Sequence, residues 1–208
     1  MISKYLRRYT DLPALIYLLT ERKITLLDPQ SWHDSNDSHY LALYREKKNL
    51  KSVLAVCFTQ AGETYHHWRV FAPGSGGVCI KFIRSRLLKA VKEQSDLRTG
   101  PVKYLKLAEI RGETLRVRDL PFLKRYAFEH EDEFRIIYES KAKRVPKLDI
   151  DIPLSSIDRI MLSPWIYRDL SDHVKTMIRS IQGYSGLSIA RSTLIGNEEW
   201  KNLGEDSA

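Results

Sequence analysis

The stretch FEHEDEFRIIY, Phe128 to Tyr138, constrains the fold more than any other part of the chain. Glu129, Glu131, Asp132 and Glu133 crowd its front, and Phe134, Ile136, Ile137 and Tyr138 close it around Arg135. A run of β-branched and aromatic residues of this kind specifies a strand. Residues two apart on a strand share a face, so Glu131, Glu133 and Arg135 project together while Asp132, Phe134 and Ile136 project opposite. Two readings fit. Either the charges are solvated at a sheet edge, or they form a site, since neighbouring carboxylates push their proton affinities apart and can then serve different roles.

The rest of the chain reads as a single folded domain. At 208 residues it is long enough to bury one sizeable core. It has neither an apolar leader behind a basic start nor an apolar run of spanning length, so no membrane partner and a cytoplasmic location are expected. Cys57 and Cys79 each fall inside an apolar run, as buried free thiols do in a reducing compartment. The net charge of +8 favours polyanionic partners. Lys141 to Arg144, the one tight basic run, reads as a solvated loop.

In chain order, Tyr5, Arg7 and Tyr9 alternate with Leu6 and Arg8 as in a short strand, and Asp11 caps a helix with Pro13 in its first turn. ITLLDP is a second strand, and a helix is expected from about Ser38 to Lys48. SVLAVCFT is an unbroken apolar run, hence a strand buried on both faces and placed centrally, with polar groups emerging at Thr59. ETYHHWRVFA is a short helix on which Trp68 is expected to be buried against Tyr65 and Phe71. His66 and His67 point in different directions on such a helix, so no metal site is assigned. The glycines Gly74 to Gly77 lack a phosphate-loop pattern and read as a hairpin-like turn. Ser85 and Asp119 are expected helix caps, the latter with Pro121 in the first turn. Strands LDIDIP, DRIMLSP and LSIARS follow, with a helix from Leu170 to Ile181 between the last two. Strands and helices mix without strict alternation. This specifies an α+β single domain over residues 1–208, with a mixed or antiparallel sheet core, flanking helices and a flexible tail at 197–208.

KYLRRYTDLPALIYLLTERKITL, WHDSND, CFT with ETYHHWRVFAPGSGGVCIKF, VKY, FLKRYAFEHEDEFRII and IDRIMLSPW resemble, in that order, the bacterial family named domain of unknown function 2971. Ser35 stands where that family often has proline. A more distant likeness is to ADP-ribosyltransferases, with their arginine, serine and glutamate on successive strands. That resemblance implies a similar fold, NAD as substrate and no metal. It assigns Arg8 (or Arg7) to a phosphate of NAD, with Tyr9 and Trp68 beside it as further binding residues. Thr59 would position the ribose or the glutamate, Glu133 would stabilise the oxocarbenium-like centre, and Glu131 would orient or deprotonate a protein or nucleic-acid acceptor. CFTQ departs from the Ser-Thr-Ser of the transferase pattern, which weakens the nicotinamide pocket. An enzyme of this kind would fit bacterial stress or phage defence. The alternative is a non-catalytic basic adaptor or sensor that binds nucleic acid or a partner protein, with Glu131, Glu133 and Arg135 as a structural ion network.

Overall fold

The computed structural model describes residues 3–32 and 34–205. The chain opens with β1 (Tyr5–Asp11), α1 (Leu12–Glu21), β2 (Lys23–Leu27), α2 (Ser35–Lys47), β3 (Ser52–Thr59) and α3 (Tyr65–Phe71). It continues through β4 (Gly77–Ile83), α4 (Arg84–Lys92), β5 (Leu97–Pro101), β6 (Lys103–Leu105), α5 (Leu107–Ile110) and β7 (Leu123–Arg125). It closes with β8 (Glu133–Ser140), β9 (Lys147–Asp151), β10 (Ile157–Leu162), α6 (Arg168–Ser180), β11 (Ser188–Arg191) and α7 (Glu198–Glu205). The result is the expected α+β arrangement. Most strand pairs are antiparallel, while β10–β11 and β6–β7 are parallel.

β3 is the hub. Along one edge it runs its whole length against β8, from Ser52 opposite Ser140 to Thr59 opposite Glu133. Along the other it takes two different strands in turn, β1 at Arg7–Thr59 and β2 at Leu27–Ala55. The sheet therefore splits at β3. One leaf continues through β1, β4, β10 and β11, and the other turns away through β2 and β9.

The apolar alternation of each strand decides what covers it. Leu6, Val56, Phe58, Ile80, Phe134 and Ile136 face a large core closed by Leu15 and Leu19 of α1, Leu87 of α4 and Ile178 of α6. On the opposite face, Val53, Ala55 and Ile137 pack under Leu41 and Tyr44 of α2. β3 is thus covered on both sides, as its unbroken apolar run demands.

Asp11 caps α1 by accepting from the Ala14 N–H at 2.8 Å. Trp68 is fully buried, but its companions are Tyr9, Ala72, Cys79, Met161 and Trp165. Tyr65 and Phe71 are exposed instead, because they lie on the outer side of α3. Gly74 to Gly77 link a helix to a strand rather than forming a hairpin, and Gly77 is obligatory: a Cβ there would meet the Ala72 carbonyl oxygen at 2.1 Å. Ser85 lies inside α4 and does not cap it. The helix expected behind Asp119 is replaced by a 3-10 turn, Val117–Phe122, and short β7, because Leu123–Arg125 pair with β6 while Leu120 and Leu123 pack against α2. Past Asn197 the chain forms α7, none of whose side chains is buried. Among the described residues no helix is long and apolar enough to cross a membrane.

Candidate functional site

The acidic stretch enters its strand later than its composition suggests. Tyr126–Glu131 form a 3-10 turn, and Asp132 takes a left-handed conformation (φ 41°) before β8 begins at Glu133. Glu131 and Glu133 nevertheless end on the same side, because a single ammonium gathers both. Lys124 Nζ of β7 lies 2.6 Å from Glu131 Oε2, 3.4 Å from Glu133 Oε2 and 3.5 Å from Asp37 Oδ2 at the start of α2. Arg135 completes the cluster. Its guanidinium binds Glu133 at 2.8 Å through Nε and through Nη2, and it grips Asp37 at 2.8 and 2.5 Å. Its remaining contact is the Pro121 carbonyl oxygen at 2.9 Å.

These five side chains are almost entirely removed from water, and Arg135 has no exposure at all. Ions in such a place must be paired. Three carboxyl groups (Asp37, Glu131, Glu133) face two cations (Lys124, Arg135), so full ionisation would leave one negative charge over, and burial raises the Asp37 carboxyl. The carboxylates divide accordingly. Burial alone would raise the Glu133 carboxyl, but Arg135 and Lys124 overrule it and hold it at about 2. For Glu131 burial wins and the pKa rises, because Lys124 is its one close cation and the neighbouring carboxylates add to the upward push. One position is a permanent anion, and the other can hold or release a proton.

Surrounding groups fix this geometry. The Thr59 hydroxyl donates to the Glu131 carbonyl at 2.6 Å and accepts from the Ala61 N–H at 3.0 Å. His67 Nε2 lies 3.2 Å from the same Glu131 carbonyl, and the Glu133 N–H donates to the Tyr104 hydroxyl at 2.8 Å. The Trp32 ring lies over Arg135, and the Phe128 ring lies over Lys124.

Register relates the other sequence-derived candidates to this cluster. Arg7 is opposite Thr59, and Thr59 is opposite Glu133, so Arg7, Thr59 and Glu133 form one row on one face. Arg7 spends its guanidinium on the Ala61 carbonyl at 2.6 Å. Arg8, one residue on, alternates to the face of Leu6 at the point where β1 leaves β3. Burial lowers the Arg8 pKa, and the titratable groups acting on it are Cys57 and Asp11. No hydrogen bond or ion pair joins the Arg8 guanidinium to another group among the described residues. Cys57, opposite Arg135 in the register, is acted on by Glu133, Arg135 and Asp37, and burial raises its thiol pKa.

Tyr9 stacks on His67 with ring centroids 5.3 Å apart. Its hydroxyl is buried without a hydrogen-bond partner of good geometry, and the Cys79 thiol is the polar group nearest to it. Trp68 has no exposed ring to offer a ligand, and its indole N–H is bound to Glu63 at 2.7 Å. Two surface depressions, of about 490 and 870 Å³, lie elsewhere. One runs along α2 at His39 and Arg45, and the other lies between the end of α1, α4 and the segment after β9. Among the described residues no three His, Cys, Asp or Glu side chains are grouped to hold a metal.

Asp37, Lys124 and Tyr104 belong to the cluster or its supports without having been singled out from the sequence, and His67, weighed there only as a metal ligand, supports the Glu131 backbone. Lys124 had a usable signal, as the basic residue seven positions ahead of Glu131.

No family model matches the sequence, and no curated protein matches it either. The likeness to domain of unknown function 2971 therefore rests on the motifs alone. Among solved structures, Thermus sp. 2.9 DarT in complex with ADP-ribosylated ssDNA is similar at 11% identity and a TM-score of 0.47, over 91% of this chain and 94% of that one. The same protein in complex with NAD+ is similar at 10% identity and a TM-score of 0.46, over 91% and 96%.

Proposed function

We propose that the protein is an ADP-ribosyltransferase-like enzyme that uses NAD as substrate and transfers its ADP-ribosyl group to a nucleic-acid or protein acceptor. One observation carries this reading: an unmatched guanidinium and a cluster rich in carboxyl groups, both within electrostatic reach of Cys57. Arg8 is a half-buried guanidinium with no acceptor among the described residues, and the cluster sets three carboxyl groups against two cations. NAD has the complementary polarity, an anionic pyrophosphate at one end and a cationic N-glycosidic centre at the other. Arg8 would accept a phosphate as a planar, forked donor.

In this reading Glu133, anionic at every working pH, stabilises the positive charge that grows on the ribose C1′ as the glycosidic bond breaks. The bonding pair goes to the nicotinamide nitrogen, which leaves neutral. Glu131 takes the proton of the acceptor as the acceptor's lone pair bonds to C1′, and later passes that proton to water. Thr59 fixes the Glu131 backbone through its hydroxyl. The side chains flanking the cluster suit a phosphate-bearing acceptor: Lys103 and Arg125 are exposed at either end of the β6–β7 pair, and Lys106 lies over the exposed Tyr126 ring.

Calorimetry with NAD and an assay of nicotinamide release test the proposal. Arg8→Ala should weaken NAD binding at least tenfold. Glu133→Gln should lower turnover far more than binding, since its charge matters most in the transition state. Absence of NAD binding in the wild-type protein would refute the transferase reading. It would favour the adaptor instead, for which the complete pairing of the Arg135 guanidinium is the supporting observation.

A further inference from the structure

We infer that Lys124 is a positioning residue for the transfer: its ammonium aims the Glu131 carboxylate and sets the pH range over which Glu131 can act as a base. The inference rests on the transferase reading for what Glu131 does, and on geometry alone for how Lys124 holds it. At 2.6 Å from Oε2, Lys124 Nζ makes the one ion pair of Glu131 among the described residues. The same ammonium is 0.8 Å farther from Glu133 (3.4 against 2.6 Å), and Glu133 has Arg135 besides. Losing Lys124 therefore strips Glu131 of its close cation and leaves Glu133 with one.

The remaining charged and titratable groups around Glu131 cannot replace it. Glu133 from β8 is an anion and Asp37 from α2 a second carboxyl, itself raised by burial, and both oppose ionisation of Glu131. Arg135 is committed to those two carboxylates, and Cys57 from β3 is a neutral thiol. Tyr104 from β6 is a neutral phenol bound to the Glu133 N–H. His67 from α3 reaches only the Glu131 carbonyl, and burial disfavours its charged form; His66 and His130 pair with each other at 2.8 Å. Phe128 lies over the Lys124 ammonium and helps to hold it in place.

The sign follows directly. Removing a cation makes a carboxylate harder to ionise, so the Glu131 carboxyl must rise and the acid limb of the rate profile must move to higher pH. An opposite charge this close is worth about one to three pH units, and each unit is a tenfold loss of rate at a fixed pH on that limb.

Two measurements decide the inference. In wild-type protein labelled with 13C-Glu and 15N-Lys, the Glu131 carboxyl and the Lys124 ammonium resonances should titrate with one shared midpoint. In the pH profile of nicotinamide release, Lys124→Gln should move the acid limb up by about one unit or more, and Lys124→Arg should restore it. A Lys124 resonance indifferent to the Glu131 titration, or an unmoved limb in a folded Lys124→Gln protein, would overturn the inference. If Lys124→Gln does not fold, the wild-type titration decides by itself. Wild-type protein that releases no nicotinamide would remove the transferase reading, and the same titration would still decide whether Lys124 governs Glu131.

Discussion

Replacing Arg135 by Met gives the most direct measure of what holds the cluster together. Met approximates the length and apolar volume of the arginine stem but offers no donor. The change removes five hydrogen bonds, to Asp37, Glu133 and the Pro121 carbonyl, and strands two carboxylates away from water. Breaking a buried pair on one side costs about 3–5 kcal/mol. A second route gives a similar figure. Holding the Glu133 carboxyl at about 2 instead of the ordinary 4.5 corresponds to about 3 kcal/mol. Because that pKa is depressed, the contribution is complete above pH 4.5 and is lost as the pH falls toward 2. In the variant the stranded carboxyls instead take up protons readily, which relieves their burial. Urea unfolding followed by tryptophan fluorescence should therefore show a much lower midpoint for Arg135→Met at pH 7. The gap to wild type should narrow between pH 7 and pH 4. Equal midpoints at pH 7, or a gap indifferent to pH, would refute the reasoning.

Trp68→Ala should cost about 3–5 kcal/mol in a thermal melt, since the whole ring is enclosed and its removal leaves a cavity between Tyr9 and Trp165. Gly77→Ala should also destabilise, by about 1–3 kcal/mol on the same assay, because the added methyl runs into the Ala72 carbonyl. At Asp132, where φ is 41°, Val should cost about 1–2 kcal/mol while Asn is tolerated. Measured by urea unfolding, equal stabilities of Asp132→Val and Asp132→Asn would contradict that account of the turn.

Local pattern carried much of the fold. The unbroken run of Ser52–Thr59 specified a strand covered twice, and Asp11 with Pro13 specified the start of α1. Strand parity holds for Glu133 and Arg135 alone: Glu131 precedes the strand, and it is Lys124 that draws it to the same point. What escaped was non-local. Asp37 reaches Arg135 across 98 residues of sequence, a separation that no periodicity encodes. Parity could not choose between Arg7 and Arg8 either, since register with β3 decides which of them joins the row of Thr59. The helix expected behind Asp119 failed although Asp119-Leu120-Pro121 repeats the Asp11-Leu12-Pro13 that starts α1, because Leu123–Arg125 pair with β6, a partner that no local pattern names.

The junction of β1 with β3 at Arg7 and Thr59 has a mechanical consequence. Arg8 rides on β1, which touches β3 only at its end, and Glu133 opens β8, which runs the whole opposite edge of β3. The tilt of β1 against β3 sets the span between the cation and the carboxylates, much as the opening of a caliper sets the gap between its jaws. If Arg8 and the glutamates hold one molecule, as proposed, that molecule is gauged for length before any single contact is weighed. Core substitutions that tilt β1 against β3 would alter which lengths are admitted, even with every residue of the cluster in place.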